Sequence, residues 1–507
     1  MKQMHNMNKS VVIVGGGLGG LFAGAILAKE GLKVTIIEKN ATVGGGLQSF
    51  TRFGEVFDTG MHMVGGMQEG GSIRKICRYI GILDKVKMMD VDPDMIDNIY
   101  FAEDKKFYRI AQGKENFVDA LSESFPQEKQ NLASYVDALY SIVDEINMFY
   151  LRPESDSILP TYSEDFMISA NDLIAKYITD ERLRNILAYM NPLYGGIKNT
   201  TPAYVHALIT VLYINGPTRF AGGSHIFAEA LKDSIIERGG EVIVSDGVAH
   251  VSSQDKLITG VTTQKGKTFS ADYYICAIHP CTFFDLLEDP TVLPKSYRNR
   301  LNEIPNTYSA FTLNLKLKQG TFKYINHSSY YMGKYSDVWR FGDHDQEWPL
   351  GFLYITPPEI NQGEYSTKMI VTAPMLWEET AKWENTTVGR RGEEYKKWKA
   401  ECAEKLISRM SELYPDFRDC IEAVNTASPL TIRDYYGVKE GAMYGFAKDC
   451  NNMTQSRVPV VTKVKNLLLT GQNCGGHGFC GVPLTAINTC EAILGQNYIL
   501  NKINNHE

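Results

Sequence analysis

Apolar and polar positions in the first fifty residues predict a strand, a helix and a second strand in quick succession. Residues 11–14 are a continuous apolar run, Val-Val-Ile-Val, as in a strand that is buried on both faces. A glycine-rich turn at 15–20 and a helical stretch follow, and the second strand ends on Glu38. This order predicts a βαβ unit, the building block of an α/β domain.

The rest of the chain alternates between helical and strand-like patterns. Apolar residues at helical spacing predict that 115–215 is mainly helical, with examples at 117–124, 131–150 and 170–190. The next predicted elements are a helix that ends at Gly239-Gly240 and a short β-meander with strands at 241–245, 248–251, 257–263 and 273–278. Alternating strands follow within 305–375 and are clearest at 310–317. The last predicted elements are an amphipathic helix at 391–414, a strand at 466–470 and a final helix from Pro483 to Leu494.

Composition excludes several classes of protein. The 507 residues include 52 Lys and Arg against 59 Asp and Glu, a net charge of −7, and no basic run stands out, so nucleic acid is not an expected partner. The nine cysteines contain no C-x-x-C pair, which predicts reduced thiols in a cytoplasmic protein without a disulfide framework or a metal site. The polar N-terminus predicts no signal peptide, and no apolar run reaches the roughly 18 residues of a transmembrane helix.

The turn at 15–20 has the spacing G-x-G-x-x-G, which predicts a dinucleotide site rather than an ordinary glycine-rich turn. Gly15 makes the tight turn, Gly17 lets the backbone approach a pyrophosphate, and Gly20 lets the helix and the strand pack closely. The free N–H groups of the helix start favour phosphates. Glu38, 18 positions after Gly20, is placed to accept hydrogen bonds from a ribose. The residues expected to bind the dinucleotide here are Gly15, Gly17, Leu18, Gly19, Gly20, Glu38 and Lys39.

A second glycine cluster follows the ribose acid and distinguishes FAD from NAD. It resembles the extended FAD fingerprint of the flavin amine oxidase and phytoene desaturase superfamily, in which this cluster passes close to the flavin-side phosphate and the ribityl chain. An Arg usually follows the paired glycines in that family. Gly46-Leu47 stands there instead, so no side-chain cation is expected at the phosphate. The resemblance implies that FAD contacts Gly45, Gly46, Leu47, Gly60, Met61 and His62.

A third glycine-rich turn, within 469–486, separates the last strand from the final helix. Pro483 is expected in the first turn of that helix, with the N–H groups of Gly481, Val482 and Leu484 free at its start. In a flavoprotein, N1 and O2 of the isoalloxazine lie at such a helix start. The helix dipole favours the negative charge that they gain on reduction by roughly 0.3–1 kcal/mol or more. A surface turn is the alternative interpretation.

Together these motifs resemble the phytoene desaturase, carotenoid isomerase and retinol saturase group of FAD-dependent oxidoreductases, over nearly the whole chain. The stretch 57–65 is similar to retinol saturase, since desaturases usually lack its histidine, and 427–445 is similar to a signature of the whole group. Thr470-Gly471-Gln472-Asn473 resembles the group's T-G-Q-D, whose acid meets a ribityl hydroxyl, and the amide oxygen of Asn473 can still accept that bond. The resemblance also implies a backbone contact between Val248 and the adenine side of FAD.

The resemblance implies an α/β fold with a Rossmann-like FAD-binding domain of the glutathione-reductase type and a second, α+β substrate domain. We expect residues 8–105, 215–285 and 420–507 to form the discontinuous FAD-binding domain. Residues 106–214 and 286–419 are expected to form the substrate-binding domain.

The chemistry of such a protein belongs mostly to the flavin, whose N5 accepts or donates hydride. His62 is the candidate catalytic residue, either as a proton donor or as a purely structural hydrogen-bonding group. His477 is expected to face the flavin or the solvent. Cys474 and Cys480 are candidates for covalent attachment or thiol redox chemistry, or are small buried hydrophobes.

The function hypothesis is an FAD-dependent oxidoreductase that saturates, desaturates or isomerises C–C double bonds of a hydrophobic polyene. The alternatives are a flavin amine oxidase and a non-catalytic FAD-containing protein that binds lipid or pigment. The spacing G-x-G-x-x-G recurs only at Gly476, Gly478 and Gly481, within the third glycine-rich turn, so no separate nicotinamide domain is expected and electrons are expected from a reduced carrier or a transiently bound nicotinamide. The apolar segment 204–214 is expected to be a core helix, a tunnel wall, or a helix that dips into one leaflet and places the protein peripherally on the inner face of a membrane.

Overall fold

The structure is a computed structural model, which describes residues 9–154, 162–345 and 347–506. The strands of the described residues are β1 (Ser10–Val14), β2 (Lys33–Ile37), β3 (Ser49–Arg52), β4 (Glu55–Asp58), β5 (Met88–Asp90), β6 (Asp97–Phe101), β7 (Lys106–Ile110), β8 (Thr218–Phe220), β9 (Glu241–Ile243), β10 (Val248–Gln254), β11 (Leu257–Thr263), β12 (Thr268–Phe269), β13 (Tyr273–Cys276), β14 (Ser309–Leu317), β15 (Ser328–Met332), β16 (Gly351–Ile355), β17 (Lys368–Met375), β18 (Ile421–Ala427) and β19 (Leu467–Leu469).

The α-helices of the same residues are α1 (Leu18–Lys29), α2 (Ser72–Ile80), α3 (Lys114–Ser122), α4 (Lys129–Asp144), α5 (Glu164–Met167), α6 (Ala170–Tyr177), α7 (Glu181–Leu187), α8 (Ala203–Ile214), α9 (His225–Ile236), α10 (Pro280–Phe284), α11 (Lys295–Glu303), α12 (Glu378–Ala381), α13 (Gly392–Leu413), α14 (Phe417–Cys420), α15 (Pro429–Tyr436), α16 (Met453–Ser456), α17 (Gly478–Leu494) and α18 (Tyr498–Asn504). Short 3₁₀ turns lie between several of these elements.

A five-stranded parallel sheet, ordered β19-β13-β1-β2-β9, confirms the predicted βαβ unit and the α/β class. Val11 and Ile13 of β1 pack in the same apolar cluster as helices α1, α9 and α17. Val12 and Val14 point the other way and pack against the meander β10-β11-β12. Both faces of the sheet are therefore covered, as a parallel sheet requires.

The second large sheet of the described residues has seven strands of mixed direction, in the order β18-β14-β17-β16-β15-β6-β7. Helix α13, whose predicted amphipathic stripe is confirmed, covers one face through Leu406 and Met410. Phe311 and Leu313 of β14 pack in that cluster. The predicted alternation of β14 is present, but the strand is buried on nearly all positions because it is central and its second face borders cavities.

Two strand assignments differ from the expected domain boundaries. Strand β6 pairs with β15 in the seven-stranded sheet, although its residues fall before the expected boundary at 105. Strand β18 pairs with β14 in the same sheet, although its residues fall after the expected boundary at 420. Both pairings join strands that are far apart in sequence, and local patterns carry no signal of such partners.

The stretch predicted to be mainly helical contains α3 to α8. Helix α8, the apolar segment with several possible roles, is buried over most of its length and packs against α4 and α6. This burial favours the core-helix interpretation. Each helix of the described residues is too short or too polar to cross a membrane.

Candidate functional site

The predicted dinucleotide turn lies at the carboxyl ends of β1 and β2, where α/β sheets bind ligands. Gly15 has φ +108° and its N–H donates to the carbonyl of Ile37 at 2.9 Å. A Cβ on Gly20 would lie 2.1 Å from the Gly15 carbonyl oxygen, so the contact between helix and turn requires glycine there. A Cβ on Gly17 would meet its nearest neighbour, the Cα of Gly45, only at 4.0 Å. Gly17 therefore borders open space.

The ribose acid is held by the backbone on both sides. The carboxylate of Glu38 accepts hydrogen bonds from the N–H groups of Gly16 and Asn40, each at 2.8 Å. The side chain is only 7% exposed, and burial raises the pKa of its carboxyl despite these bonds. Gly247, which precedes Val248, packs so closely on Lys39 that a Cβ there would lie 2.9 Å from the Lys39 Cβ. Val248 and Lys39 thus lie at the same edge as Glu38.

The second glycine cluster lies directly against the first. The N–H of Gly44 donates to the carbonyl of Gly16 at 2.8 Å, and Gly45–Leu47 form a 3₁₀ turn. Gly46 and Gly60 both face the hydroxyl of Tyr436, which a Cβ on Gly60 would approach to 2.9 Å. Tyr436 lies on α15 and was not among the site residues expected from the sequence.

The start of the final helix differs from the prediction. Helix α17 begins at Gly478 rather than at Pro483, which is its sixth residue. The free N–H groups of its first turn therefore begin at Gly478, and the expectation that Gly481, Val482 and Leu484 supply them is wrong. The last part of the glycine-rich segment, from Gly478, is itself helical, and Gly481 packs against the preceding turn. A Cβ on Gly481 would lie 2.4 Å from the carbonyl carbon of Gly476.

Two helix starts converge on one groove. Helix α1 has Gly17 at its N-cap, and helix α17 has His477. Neither N-cap residue donates or accepts a side-chain hydrogen bond at the helix start. A Cβ on Gly19 would lie 2.9 Å from the Cα of Gly471 and 3.4 Å from a methyl of Val482, so the two starts adjoin. Gly471 and Gly478 have no heavy atom within 4 Å of an added Cβ. This glycine-walled groove with uncapped helix ends fits the pyrophosphate and isoalloxazine of a flavin dinucleotide.

Asn473 has a protein partner in this structure. Its amide oxygen accepts a hydrogen bond from the N–H of Phe446 at 3.0 Å, and the side chain is 5% exposed. A Cβ on Gly445 would lie 2.1 Å from the same oxygen. Asn473 therefore joins the turn that begins at Gly471 to the segment 437–445 that the sequence singled out. Gln472, beside it, is half-buried.

We call the smaller of two adjoining cavities the inner cavity. It has a volume of about 70 Å³ and lies between the turn Gly60-Met61-His62 and the seven-stranded sheet. Its walls are mainly aromatic and aliphatic. Nδ1 of His62, Oγ of Ser309 and the hydroxyl of Tyr330 have no hydrogen-bond partner among the described residues. Since an unpaired buried polar group costs about 1–3 kcal/mol, these three atoms indicate a ligand-binding wall. The lining residues include Met61, His62, Leu193, Tyr308, Ser309, Tyr330, Met332, Phe352, Leu353, Ile355, Ile370, Tyr436 and Tyr444.

His62 is in contact with the inner cavity as a neutral imidazole. Burial, aided by the positive charge of Arg219, lowers the pKa of His62 to about 4. Its Nε2 lies 3.4 Å from the hydroxyl of Tyr213, a residue of α8. At neutral pH the side chain therefore offers a hydrogen bond to the cavity rather than the acidic proton of an imidazolium.

Of the other residues considered near the flavin, His477 is half-buried and Cys474 and Cys480 are buried. The ring of His477 lies 5.1 Å from that of Tyr444, a wall of the inner cavity, and burial lowers the pKa of His477 to about 3. Burial raises the pKa of the thiols of Cys474 and Cys480 to about 12. Both cysteines are thus protonated, as expected for small hydrophobes and not for reactive thiolates.

Two buried charged residues behind the inner cavity were missed in the sequence. Asp97 is 0% exposed and accepts a hydrogen bond from the hydroxyl of Tyr189 at 2.6 Å, and burial raises the pKa of its carboxyl to about 7. Arg219 is also 0% exposed and donates to the carbonyls of Ile325 and Thr356. Each lies in a short strand, and no motif marks it.

We call the larger cavity, of about 600 Å³, the outer cavity. It shares five lining residues with the inner cavity, so the two adjoin. These are Asp58, Thr59, Thr312, Ile432 and Tyr436. Its outer wall is polar and carries the basic residues Arg52, Arg391, Lys396 and Lys399.

Comparisons with known proteins agree with this geometry. Residues 18–494 match the family of flavin-containing amine oxidoreductases. All-trans-retinol 13,14-reductase from Danio rerio is 26% identical in an alignment that covers 96% of this chain and 86% of that protein. Prolycopene isomerase 2 from an Oncidium hybrid cultivar is 21% identical over 94% of this chain and 82% of that protein. The fold is shared with an oxidoreductase from Methanosarcina mazei, at a TM-score of 0.65 and 16% identity over 95% of this chain and 100% of that one.

Proposed function

Because the chain belongs to the family of flavin-containing amine oxidoreductases, its cofactor is FAD, and we propose that it saturates, desaturates or isomerises a C–C double bond of a hydrophobic polyene. The observation that carries this proposal is the pair of adjoining cavities, of about 70 and about 600 Å³, because the aromatic and aliphatic walls of the inner one suit the reacting part of a conjugated apolar chain and the outer one has room for the rest. The similarity to a retinol reductase and a prolycopene isomerase supports the same chemistry.

An amine substrate fits the cavity less well. Among its described lining residues Asp58 is the single carboxylate, and an ammonium group would need such a partner. Oδ1 of Asp58 already accepts hydrogen bonds from the hydroxyl of Ser49 at 2.7 Å and from the N–H and hydroxyl of Ser224. The carboxylate therefore already has three hydrogen-bond donors and needs no ammonium partner.

We propose that the groove between the two helix starts holds FAD. Glu38 binds the adenosine ribose, the starts of α1 and α17 face the pyrophosphate and the isoalloxazine, and the turn at Gly60 borders the flavin on the substrate side. When bound, FAD accepts or donates hydride through its N5. The residues proposed to contact it are Gly15, Gly17, Leu18, Gly19, Gly20, Glu38, Lys39, Gly45, Gly46, Leu47, Gly60, Met61, His62, Val248, Gly471, Gln472, Asn473 and, at the observed helix start and in place of Gly481, Val482 and Pro483, Gly478 and Phe479.

The protein's own part in the reaction is to exclude water and to orient the polyene. Met61 and Leu353 contribute apolar walls to the inner cavity. Burial raises the pKa of Tyr330 well above its usual value, so its unpartnered hydroxyl keeps a proton at the wall. We propose that Tyr330 and neutral His62 each hold a proton at the wall beside the reacting double bond.

The first test is an absorption spectrum of the purified protein, before and after anaerobic reduction, followed by incubation with all-trans-retinol or a carotenoid. We expect FAD to be released intact on denaturation and the reduced protein to yield a product that has gained two hydrogens or changed geometry. Desaturation by the oxidised protein would give a product that has lost two.

The same preparation separates the alternatives. Oxygen consumption with amines and none with polyenes would replace the proposal with an amine oxidase. A bound flavin that resists dithionite would indicate a non-catalytic protein.

A further inference from the structure

We propose that the outer cavity binds a carboxylate at the polar end of the substrate, and that the Lys399 ammonium is its ion-pair partner. The inference rests on the proposed function, since it assigns the terminus of the same apolar chain. It makes the substrate an amphiphile, with its conjugated part in the inner cavity and an acidic end outside it.

Lys399 is a half-buried cation without an acidic partner. It projects from α13 into the outer cavity, and its Nζ donates to the carbonyl of Thr426 on β18 at 2.6 Å. No carboxylate of the described residues lies within ion-pair distance of it. Burial, together with the nearby Arg391, lowers the pKa of Lys399 to about 8, which leaves the ammonium mostly charged at pH 7. Since buried charges in proteins are normally paired, a ligand anion is the missing partner.

The neighbouring basic residues show why Lys399 stands out. Arg391 is paired with Asp434, and exposed Lys396 is paired with Glu393 at 2.6 Å. Arg52, on β3, lines the same cavity and forms no ion pair with a described carboxylate. The cavity therefore holds two cations that the described residues do not neutralise, in a chain whose net charge is −7.

The charges also orient a substrate. Asp58 lies where the two cavities meet and would repel an anion that entered the inner cavity. Lys399 and Arg52 lie on the outer wall, so an acidic end is attracted there while the apolar chain passes Ile432 and Tyr436. Asn314 adds a polar group to this wall. It is 1% exposed and its amide oxygen has no partner in the described part of the chain.

The test compares three ligands on the FAD-loaded protein at pH 7, with binding followed by quenching of protein fluorescence. All-trans-retinoic acid and all-trans-retinol share one polyene and differ at the terminus, and palmitate has the carboxylate without the polyene. The variant is Lys399→Met, which keeps most of the side chain's apolar stem. The control is Lys396→Met, which removes one charge from the same helix and the same cavity.

We expect wild type to bind retinoic acid about tenfold or more tightly than retinol, as a charge-assisted hydrogen bond allows. Lys399→Met should weaken retinoic acid by about ten- to hundredfold and leave retinol within about twofold. Lys396→Met should change neither by more than about threefold, since exposed paired charges contribute little.

Equal binding of the acid and the alcohol, or a preference that survives in Lys399→Met, would overturn the carboxylate site while leaving polyene chemistry in place. Palmitate bound in a Lys399-dependent way, with neither retinoid bound, would support the site and refute the polyene. Thermal unfolding of each variant with FAD bound identifies loss of binding caused by misfolding, and Lys399→Arg should then restore the preference for the acid if Lys399 pairs with it.

Discussion

Replacing Gly17 by alanine separates the proposed cofactor role of the glycine turn from its role in folding. The backbone at Gly17 has φ −74° and ψ −179°, a conformation that alanine adopts without strain. The nearest protein atom to the added Cβ lies 4.0 Å away. Alanine should therefore leave the protein at least as stable as wild type, by about 0.4–1 kcal/mol through the unfolded chain.

FAD affinity should fall in the same variant. The added methyl would project into the open groove, where the backbone is proposed to approach the pyrophosphate. Overpacking of this kind costs about 1–3 kcal/mol, which corresponds to a dissociation constant raised about 5- to 150-fold. By contrast, Gly20→Ala should destabilise the fold itself, because its Cβ would lie 2.1 Å from the Gly15 carbonyl oxygen.

The assay is a titration of reversibly stripped protein with FAD, followed by flavin fluorescence, with thermal unfolding of the same samples. Gly363→Ala is the matched control. Gly363 also has open space around an added Cβ and no positive φ, but it lies away from the groove. If Gly17→Ala bound FAD as tightly as Gly363→Ala does, the pyrophosphate would not lie against this turn.

Three further predictions follow from buried titratable groups. Because the pKa of Asp97 is about 7 in the fold and about 3.9 when unfolded, the folded state binds the extra proton between these values. The free energy of unfolding of the wild-type protein should therefore decrease by up to about 1.4 kcal/mol per pH unit from pH 4 to 7. Asp97→Asn should lose this slope in urea unfolding, and parallel profiles of the variant and the wild type would contradict a raised pKa at Asp97. Since the pKa of His62 is about 4, the pH profile of turnover in His62→Asn should parallel that of wild type between pH 5.5 and 8, whereas a difference centred near pH 6.5 would show that an imidazolium acts as the acid. The thiols of Cys474 and Cys480, with pKa values near 12, should react with a thiol reagent only on unfolding, and rapid labelling of the native protein at either position would show that they are accessible.

The sequence predicted those parts of the molecule whose physics is local. The strand 11–14, the glycine spacing and Glu38 each constrain a few neighbouring residues, and the structure places them together at the edge of one sheet. Pro483 misled the prediction of the last helix start, because the helix already begins at Gly478 and Gly481 packs closely on Gly476.

Other features depended on partners far along the chain. Asp97 becomes a buried acid only through β15 and Tyr189, and no pattern within its own strand shows this. The outer cavity likewise combines residues from β3, β14, α13 and β18. Such a site is invisible until the seven-stranded sheet is assembled.

The five-stranded parallel sheet also has a consequence for biosynthesis. Its strand order, β19-β13-β1-β2-β9, places a strand from residues 467–469 beside one from 273–276. A ribosome that has released the glycine turn at 15–20 must still translate more than four-fifths of the chain before the opposing wall, at Gly471 and Gly478, leaves the exit tunnel. Cofactor capture should therefore be one of the last events of maturation, and chains interrupted before β19 should accumulate without flavin and depend on chaperones to keep the unfinished sheet edge from aggregating.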